Sequence, residues 1–535
     1  MDDAQLQSVT TIPDLVRRAA AVHGDRVAIE EGELSMSFRD LDAARLEAAA
    51  AFIALGVGAG ERVAIWAPNM HQWIVAAVGL QSIGAVLVPI NTRVKGFEAA
   101  DILDRTAARV LVTVGAFLGT DYPAMLRDQA LPHLKHIVLL DDAPGEDPPP
   151  SVESHAWADF IAGKAKADLD ALQGQLAGVA ADDLSDILFT SGTTGSPKGV
   201  MTTHGQNLRT FRAWTDLVGL NADDRYLIVN PFFHAFGYKA GWLSALMRGA
   251  TVLPHPVFDV DAVLARIGAD RVSVLPGPPT LYQSLLAHPQ LGTHDLSNLR
   301  LAVTGAATIP VRLIERMREE LRFDTVITGY GLTESSGVVT MCREDDDPTT
   351  IATTCGRGIE GVEVRCVDDA GASVPVGEPG EVVVRGYNVM KGYLDDPDAT
   401  AETIDEDGFL HTGDIGVMNE RGYLRITDRK KDMFIMGGFN CYPAEIENLM
   451  LKNDAFAQVA VIGVPDERMG EVGMAFVVPG PGSTPTPEEV VAWCREHMAN
   501  YKVPRRVEIL ETLPLNASGK VKKFELRQRA AGGDA

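Results

Sequence analysis

The sequence DILFTSGTTGSPKG, residues 186–199, is an apolar run followed by a loop rich in Ser, Thr and Gly, and it is the most informative stretch of this chain. Its first five residues predict a short buried strand. The glycines permit tight turns, so the amides and hydroxyl groups of the loop can surround phosphate oxygens, and Lys198 adds a positive charge. The candidate phosphate ligands are Thr190, Ser191, Gly192, Thr193, Thr194, Gly195 and Lys198.

This loop differs from the Walker pattern, in which GxxxxGK is followed by Ser or Thr. Here Pro197 precedes the lysine, and Gly199 and Val200 follow it. The sequence therefore predicts a different kind of phosphate-binding loop. The alternative interpretation is a flexible surface turn, which is what Ser/Thr/Gly clusters usually form.

The composition limits the class of protein. The chain has 535 residues, of which 46% are hydrophobic, and a net charge of −25. Such a length predicts two or more domains, and the acidic charge disfavours general binding of nucleic acid or anionic membranes. The N-terminus lacks the basic start and apolar core of a signal peptide, which favours a cytoplasmic protein. The five cysteines are widely spaced and lack the spacing of a zinc site.

The longest apolar run, residues 73–90, approaches the length of a membrane-spanning helix. It is interrupted by Gln81, Ser82, Gly84 and Pro89. We therefore expect a buried helix through Ile83 followed by a strand, and no integral membrane segment.

Strand-like apolar runs alternate with helical patterns over much of the chain, which predicts an α/β fold with largely parallel, buried sheets. The predicted strands include residues 63–66, 85–88, 110–112, 137–140, 226–229, 272–275 and 301–304, and a helix is predicted over residues 309–321. After about Thr350 short β-like runs, divided by Gly, Pro and Asp, predict a smaller β-rich subdomain. The C-terminal part then predicts a compact α/β unit.

Five further segments carry a family resemblance in a fixed order. They are GYGLTE (329–334), GEPGEVVVRGYNVMKGY (377–393), HTGDIG (411–416), DRKKDMFIMGGFNCYPAEIE (428–447) and NASGKVKK (516–523). With the phosphate loop, they resemble the adenylate-forming superfamily of acyl-CoA synthetases, non-ribosomal adenylation domains and luciferases. The resemblance implies a large N-terminal domain of two α/β sheets and a β-rich subdomain, residues 1–427. It also implies a small mobile α+β lid domain, residues 428–535, with its hinge at Asp428.

The resemblance implies a catalytic role for four residues. Thr333 would contact the α-phosphate of ATP, and Glu334 would bind Mg²⁺ together with Thr193. Lys520 would bridge the substrate carboxylate and the phosphate, and His234 would lie beside that carboxylate. The alternatives are a helix-start carboxylate for Glu334, a solubilising surface lysine for Lys520 and a satisfied core histidine for His234.

The other nucleotide contacts also follow from the resemblance. Tyr330 would stack on adenine beside Gly331, and Asp414 and Arg429 would hold the ribose. On its own, an HTGD sequence is more often only a turn without a ligand-binding role, because Gly and Asp favour turns. The small-residue adenine loop would be Gly305, Ala306 and Ala307, and Ala306 departs from the glycine of many relatives.

The resemblance also implies positions for the two remaining substrates. Gly437, Gly438 and Phe439 would line the path of the CoA pantetheine arm, although a glycine pair is often a simple turn. The acyl pocket would be formed by His234, Phe236, Tyr238, Trp242, Pro278, Thr304 and Gly329. Aromatic walls suit a compact alicyclic acid, and a medium-chain or aryl acid fits the same description.

Two features favour CoA ligation within the superfamily. His234 and Ala235 stand where amino-acid-adenylating domains usually offer an aspartate, and residues 428–440 lack the insertion typical of fatty acyl-AMP ligases. The finer similarity, in segments 230–241, 274–286 and 301–310, is to actinobacterial ligases that activate the propionate side chain of sterol-derived bicyclic ring remnants. The predicted function is thus an ATP-, Mg²⁺- and CoA-dependent carboxylic acid:CoA ligase that works through an acyl-adenylate.

Three other functions are left open. One is an acyl-AMP ligase that transfers the acyl group to a carrier protein. A non-enzymatic nucleotide-binding protein and a luciferase-like oxygenase are less favoured alternatives. The predicted partner is a small-molecule carboxylic acid, a homodimer is left open, and Lys520 is a candidate for a lysine acetyltransferase and deacetylase.

Overall fold

The computed structural model describes residues 3–141, 149–190, 197–305, 309–429, 432–436, 439–466, 469–498, 500–515 and 520–532. In chain order, the α-helices comprise Asp3–Gln7, Ile12–His23, Phe38–Ala54, His71–Ser82, Gly96–Arg105, Tyr122–Met125, Trp157–Ala162, Leu169–Gly178, His204–Val218, Ala235–Gly237, Ser244–Arg248, Val260–Ala269, Pro279–Leu286, Val311–Glu319, Pro348–Thr353, Pro397–Thr403, Pro443–Met450, Pro487–His497 and Lys523–Ala530. Three short 3₁₀ segments, Gly163–Lys166, Leu291–Thr293 and Thr333–Ser335, and one π-helical turn, Tyr238–Leu243, complete the helical elements of these ranges.

The largest continuous sheet contains the phosphate-loop strand. Among the described residues its eight strands lie in the spatial order Gly392–Tyr393, Lys198–Thr203, Leu184–Thr190, Val86–Pro89, Arg62–Trp66, Val110–Thr113, His136–Leu139 and Glu153–Ala156. The last six strands are parallel, and the first two are antiparallel to their neighbours. The parallel strands other than Glu153–Ala156 are largely buried, which explains their near-continuous apolar sequences.

A second sheet is built from two ladders. One contains Arg225–Ile228, Thr251–Pro254, Val27–Glu31 and Leu34–Ser37, and the other contains Leu301–Gly305, Thr325–Tyr330, Thr340–Met341 and Arg357–Gly358. Val274 joins the ladders, because it bridges Tyr226 on one side and Leu301 on the other. The predicted strand over residues 272–275 is therefore wrong in extent, since only isolated bridges at Val274 form there. The apolar residues of that segment pack as core without a ladder of their own.

A smaller antiparallel sheet follows, with the strands Val362–Val367, Pro379–Gly386, Leu410–Met418 and Leu424–Arg429. It has its own small core around Val382, Val384 and Leu410. This is the β-rich subdomain predicted after Thr350. The predicted α/β fold class, with two large sheets and this subdomain, is confirmed.

The C-terminal unit has a separate core. Its strands are Phe434–Met436, Phe439–Cys441, Phe456–Asp466, Gly470–Pro479 and Arg506–Ile509. Buried residues such as Ile446, Val461, Phe476 and Leu526 form the core between these strands and the three C-terminal helices.

The isolated ribbon Ala116–Phe117 with Thr120–Asp121 lies in the N-terminal part.

The run over residues 73–90 folds as predicted, into the buried helix His71–Ser82 and the strand Val86–Pro89. No helix within the described ranges is long and apolar enough to span a membrane.

Candidate active site

The phosphate loop begins and ends on adjacent strands. Leu184–Thr190 and Lys198–Thr203 are antiparallel, and Thr190 pairs directly with Lys198. The Thr190 hydroxyl donates to the Lys198 carbonyl oxygen at 3.4 Å. Both ends of the predicted loop therefore meet at the same end of these two adjacent strands. The predicted ligands between them, Ser191, Gly192, Thr193, Thr194 and Gly195, lie outside the described residues.

Tyr393 links the loop lysine to the predicted metal ligand. The Nζ atom of Lys198 lies 4.7 Å from the centre of the Tyr393 ring, a cation–π distance. The Tyr393 hydroxyl donates to Oε1 of Glu334 at 3.0 Å. Burial, followed by the negative charge of Glu334, raises the pKa of Tyr393, so the phenol stays protonated and remains a donor. Sequence reasoning assigned no role to Tyr393, although it closes the quoted segment 377–393.

Glu334 lies in the short 3₁₀ segment Thr333–Ser335, which places Thr333 and Glu334 side by side on one turn. The carbonyl oxygen of Glu334 accepts from the Met390 amide at 2.8 Å. Its half-buried side chain offers a carboxylate oxygen beyond the one bound to Tyr393. Carboxylate oxygen is the ligand type that Mg²⁺ prefers, so Glu334 fits the predicted metal role.

The ends of two parallel strands form a surface of small residues next to this turn. Gly305 pairs with Gly329 at the ends of Leu301–Gly305 and Thr325–Tyr330. A Cβ on Gly305 would lie 2.9 Å from the Gly329 carbonyl oxygen, and a Cβ on Gly331 would overlap the Gly337 carbonyl oxygen. Only glycine fits at these two positions, because neighbouring backbone occupies the space that a Cβ would need. Ala306 and Ala307 lie outside the described residues.

Tyr330 and Asp414 are in direct contact. The Tyr330 hydroxyl donates to Oδ2 of Asp414 at 2.5 Å, and Asp414 is only 5% exposed. The backbone of Asp414 pairs with that of Arg429 on the neighbouring strand. The structure thus brings together the predicted adenine and ribose residues on adjoining elements.

His234 occupies the N-cap of the three-residue helix Ala235–Gly237. Its Nδ1 accepts from the Phe236 amide at 3.2 Å, which leaves the proton of a neutral imidazole on Nε2. The ring keeps an exposed edge, yet the protein around it and then the charge of Lys520 lower the pKa of His234 to about 4. His234 is therefore neutral at pH 7. The charge of Lys520 acts on His234, so these two predicted catalytic residues lie on the same side of the molecule and within electrostatic range of each other.

Only some of the residues predicted to line the acyl pocket have side chains that are open to a ligand. Phe236 and Pro278 are half-buried, and the Thr304 side chain is buried with no hydrogen-bond partner for its hydroxyl among the described residues. Tyr238 and Trp242 are fully buried in the main core and stack at 4.8 Å. These two rings do not form an open wall, which corrects the prediction at these positions. The π-helical turn directs both rings toward Trp73 in the core.

Asn69 holds the segment that carries His234, and sequence reasoning did not identify it. The Asn69 side-chain nitrogen shares its two protons among three carbonyl oxygens, those of Ile228 at 3.0 Å, Asn230 at 2.9 Å and His255 at 3.1 Å. Its oxygen accepts from the Phe232 amide at 2.8 Å. No spacing signal in the sequence links Asn69 to residues more than a hundred and fifty positions away.

A buried polar network lies under the phosphate-loop strand. Nζ of Lys239 lies 2.9 Å from Asp186 Oδ1, and both side chains are almost fully buried. Thr202, Ser185 and Asn207 donate to the same carboxylate at 2.8, 2.7 and 2.6 Å. Loss of one partner of such a buried pair is strongly destabilising, so the network anchors the strand that enters the phosphate loop. Asp186 begins the quoted stretch, but sequence reasoning assigned it no role.

The predicted hinge and CoA-binding residues are described only in part. Gly437 and Gly438 lie outside the described residues. For Asp428, Arg429 and Phe439 the structure describes the backbone, which lies in the strands Leu424–Arg429 and Phe439–Cys441. The hinge and the CoA path therefore stay predictions.

Two family models match the chain. Residues 16–394 match the AMP-binding enzyme family, and residues 445–520 match the AMP-binding enzyme C-terminal domain. The first match includes the phosphate loop, Glu334 and Tyr393, and the second ends at Lys520.

Individual proteins are also similar over nearly their whole length. A ligase of Rhodococcus jostii, named for a propanoyl group on a 7a-methyl-1,5-dioxo-octahydro-1H-indene ring and for CoA, is 51% identical over 97% of this chain and 98% of its own. The Mycobacterium tuberculosis ligase of the same name is 50% identical over 98% and 99%. An anthranilate CoA ligase in complex with anthranoyl-AMP superimposes with a TM-score of 0.86 and 28% identity, covering 99% of each chain. On the strength of the two family models, the relatives and the site geometry, this chain belongs to the AMP-binding enzyme family.

Proposed function

We propose that this chain joins a sterol-derived bicyclic propionic acid to CoA, using ATP and an acyl-adenylate intermediate. The observation that carries the proposal is the identity of about half of all residues, over nearly the full chain, with two ligases named for such an acid. The fold shared with a ligase that holds anthranoyl-AMP supports the adenylate intermediate. The chain is an acyl:CoA ligase, as the sequence predicted. The bicyclic acid and the residue roles below are the proposed part.

The first half-reaction forms the adenylate. A carboxylate oxygen of the acid attacks the α-phosphorus of ATP, the bond from that phosphorus to the oxygen bridging to the β-phosphate breaks, and pyrophosphate leaves. Two anions must approach each other, so the site has to supply positive charge and hydrogen-bond donors. Lys198 and Lys520 supply the charge, and Thr333 supplies a hydroxyl donor to the α-phosphate. Glu334 would hold Mg²⁺, which would supply positive charge to neutralise the phosphates.

His234 orients the substrate carboxylate in this scheme. It is neutral at pH 7 because its pKa is lowered to about 4, and its Nδ1 is already occupied by the Phe236 amide. The Nε2 proton is therefore the group that His234 offers to the site. We infer that it donates to one carboxylate oxygen while Lys520 contacts the acid and the phosphate. The other carboxylate oxygen is then free to attack.

The second half-reaction forms the thioester. The sulfur of CoA attacks the acyl carbon, the bond from that carbon to the phosphate oxygen of AMP breaks, and the thiol proton is released as AMP leaves. Rotation at Asp428 would withdraw Lys520 and present Gly437, Gly438 and Phe439 to the thiol. His234 would lie beside the path of the thiol.

The acid itself would contact Phe236, Pro278, Gly329 and Thr304. The half-buried ring of Phe236 and the Pro278 ring offer apolar area to an alicyclic skeleton. The buried hydroxyl of Thr304, which lacks a hydrogen-bond partner among the described residues, supplies a polar group that a carbonyl of the acid can satisfy. Few polar groups in a mainly apolar pocket are typical of small-molecule sites.

The experiment that tests the function is a product assay by mass spectrometry. Purified protein receives ATP, Mg²⁺, CoA and one acid from a panel of straight-chain, aryl and bicyclic propionic acids. We expect a CoA thioester with the bicyclic acid and a lower kcat/KM with the others. A preference for a straight-chain or aryl acid would overturn the proposed substrate. Acyl-AMP without thioester would favour the carrier-protein alternative.

Acetylation of Lys520 is proposed as a means of regulation. An acetyl group would remove the positive charge that adenylate formation needs. The test is the mass and activity of protein treated with a lysine deacetylase. Unchanged mass and unchanged activity would contradict acetylation in that preparation.

A further inference from the structure

Three metal-ligating side chains meet at the edge of the eight-stranded sheet, away from the active site. His136 begins the strand His136–Leu139, and Glu153 and His155 belong to the edge strand Glu153–Ala156. The two strands are parallel, with His136 paired to Glu153. Paired residues share a face, and residues two apart on a strand share a face, so all three side chains project from the same side of the sheet. Three strands separate His136–Leu139 from the strand that enters the phosphate loop.

The ligand atoms of the three side chains converge on one point. Nδ1 of His136 lies 3.2 Å from Nε2 of His155 and 3.5 Å from Oε2 of Glu153. Nε2 of His155 lies 3.8 Å from Oε1 of Glu153. Two ligand atoms bound to a tetrahedral Zn²⁺ at about 2.0–2.1 Å are about 3.3 Å apart. The observed separations bracket this value, so an ion fits between the three groups with small side-chain movements.

A hydrogen bond between the two imidazoles explains only part of this arrangement. It accounts for the 3.2 Å contact, but it leaves the Glu153 carboxylate near both ring nitrogens at distances too long for good hydrogen bonds. A bound cation would satisfy the two nitrogens and the carboxylate together. The charge of Arg109 also acts on His136, and that charge is balanced by Glu61 at 3.0 Å.

The cluster is also accessible. The two histidine side chains are each 18% exposed, while Glu153 is 68% exposed. An ion can therefore enter from solvent, and water can complete its coordination. Two imidazoles and one carboxylate select Zn²⁺ and similar transition metals over Mg²⁺, which prefers an all-oxygen octahedral shell.

We propose that His136, Glu153 and His155 form a binding site for a divalent transition metal ion, with Zn²⁺ as the reference ion. The ion has a structural role, because it would clamp the edge strand Glu153–Ala156 to its neighbour. Edge strands lack a hydrogen-bonded partner on one side, so a metal link there would help to hold the strand against its neighbour. This site is independent of the ligase activity proposed above.

The test measures zinc binding to the untagged, metal-stripped full-length chain by isothermal titration calorimetry, without ATP. We expect the wild type to bind one more equivalent of Zn²⁺ than His155→Ala. The matched control is His133→Ala, a nearby histidine outside the cluster that is 50% exposed, and it should keep that equivalent. Glu153→Gln should weaken the site by about tenfold or more, because the charge of one ligand is lost.

Substitution by Co²⁺ gives a second measurement that does not depend on heat of binding. Wild type and His133→Ala should show the visible absorption bands of low-coordinate Co²⁺ with nitrogen ligands, and His136→Ala and His155→Ala should lose them. Circular dichroism and thioester formation should be unchanged in all variants. Equal zinc stoichiometry in wild type, His136→Ala and His155→Ala would overturn the proposal, as would unchanged cobalt bands.

Discussion

Tyr393 shows how one residue organises the charges of the candidate active site. Its ring lies under Lys198 and its hydroxyl binds Glu334, so a neutral phenol separates a cation from the carboxylate that we propose binds Mg²⁺. A direct Lys198–Glu334 ion pair would neutralise both charges before a nucleotide arrived. The phenol thus keeps the lysine available to phosphate and the carboxylate available to the metal.

We predict that Tyr393→Phe lowers the rate of adenylate formation and raises the Mg²⁺ concentration that gives half-maximal rate. A hydrogen bond to a charged group is worth about 1.5–3 kcal/mol, which is roughly 10- to 100-fold in rate if it is felt in the transition state. The measurement is pyrophosphate release at varied Mg²⁺ concentrations.

The matched control is Tyr387→Phe. The Tyr387 hydroxyl donates to the Glu360 carbonyl oxygen at 3.0 Å, outside the candidate active site. It should change neither the rate nor the Mg²⁺ dependence. Equal behaviour of the two variants would remove Tyr393 from the catalytic site.

At the scale of elements, the segment that carries His234 depends on close backbone approach. The helix Ala235–Gly237 is only three residues long, and Asn69 binds the segment before it through hydrogen bonds to Ile228, Asn230 and Phe232. A Cβ on Gly237 would overlap the carbonyl oxygens of Asn230 and Pro231. Gly237 is therefore required for the position of His234.

We predict that Gly237→Ala destabilises the protein by about 1–3 kcal/mol and reduces thioester formation, because the backbone must shift to relieve the overlap. The measurements are the free energy of unfolding in urea and kcat/KM for the acid. Gly174→Ala is the control, since its Cβ meets nothing within 4 Å and lies within a helix. That variant should be slightly stabilised. A Gly237→Ala protein as stable and active as Gly174→Ala would contradict the close packing of this turn.

At the scale of the whole molecule, we propose that residues of the N-terminal and C-terminal parts of the chain together form one active site. His234 belongs to the large N-terminal part of the chain. In sequence, Lys520 follows the strand Arg506–Ile509 and precedes the helix Lys523–Ala530. The charge of Lys520 nevertheless contributes to the lowered pKa of His234. This orientation fits the adenylate-forming step of the proposed mechanism. Thioester formation would require the C-terminal domain to move.

We predict that Lys520→Ala abolishes adenylate formation but largely preserves thioester formation from a pre-made acyl-adenylate. Only the first step needs the positive charge between the carboxylate and the phosphate. The two half-reactions are measured separately, as pyrophosphate release and as acyl-CoA from acyl-AMP. Lys522→Ala, which loses an exposed pair with Glu525, should retain both steps. Equal loss of both half-reactions in Lys520→Ala would exclude this division of roles.

Acid stability is a further property of the whole chain. Burial lowers the pKa of His204 from 6.5 to about 4 in the folded protein. The unfolded chain therefore binds a proton between about pH 6.5 and 4 that the folded chain does not, and the free energy of unfolding falls as pH falls through this window. Urea unfolding at a series of pH values should show this loss. His204→Gln should reduce the slope by about one proton, and an unchanged slope would assign the effect to other groups.

Much of this molecule could be predicted from the sequence, because its signals are local. The apolar runs predicted five of the eight strands described in the first large sheet and two of the eight described in the second, and the helix followed by a strand over residues 73–90 was predicted from a few polar interruptions. The loop residues themselves indicated the role of Lys198, whereas the ordered motifs identified the family, and the proposed roles of Glu334 and Lys520 came from that family. Such features depend on residues close together in the chain or on motifs that are short continuous stretches of sequence.

Contacts between distant segments could not be predicted from the sequence, because they form only when the whole chain packs. The sequence interpretation put Tyr238 and Trp242 in the acyl pocket, but an aromatic side chain suits a core as well as a pocket wall, and packing against Trp73 decides between them. Asn69 and the Asp186–Lys239 pair gave no local signal, because their partners come from other elements. Sequence patterns report periodicity and local chemistry, whereas burial and partner choice are determined when the whole chain packs.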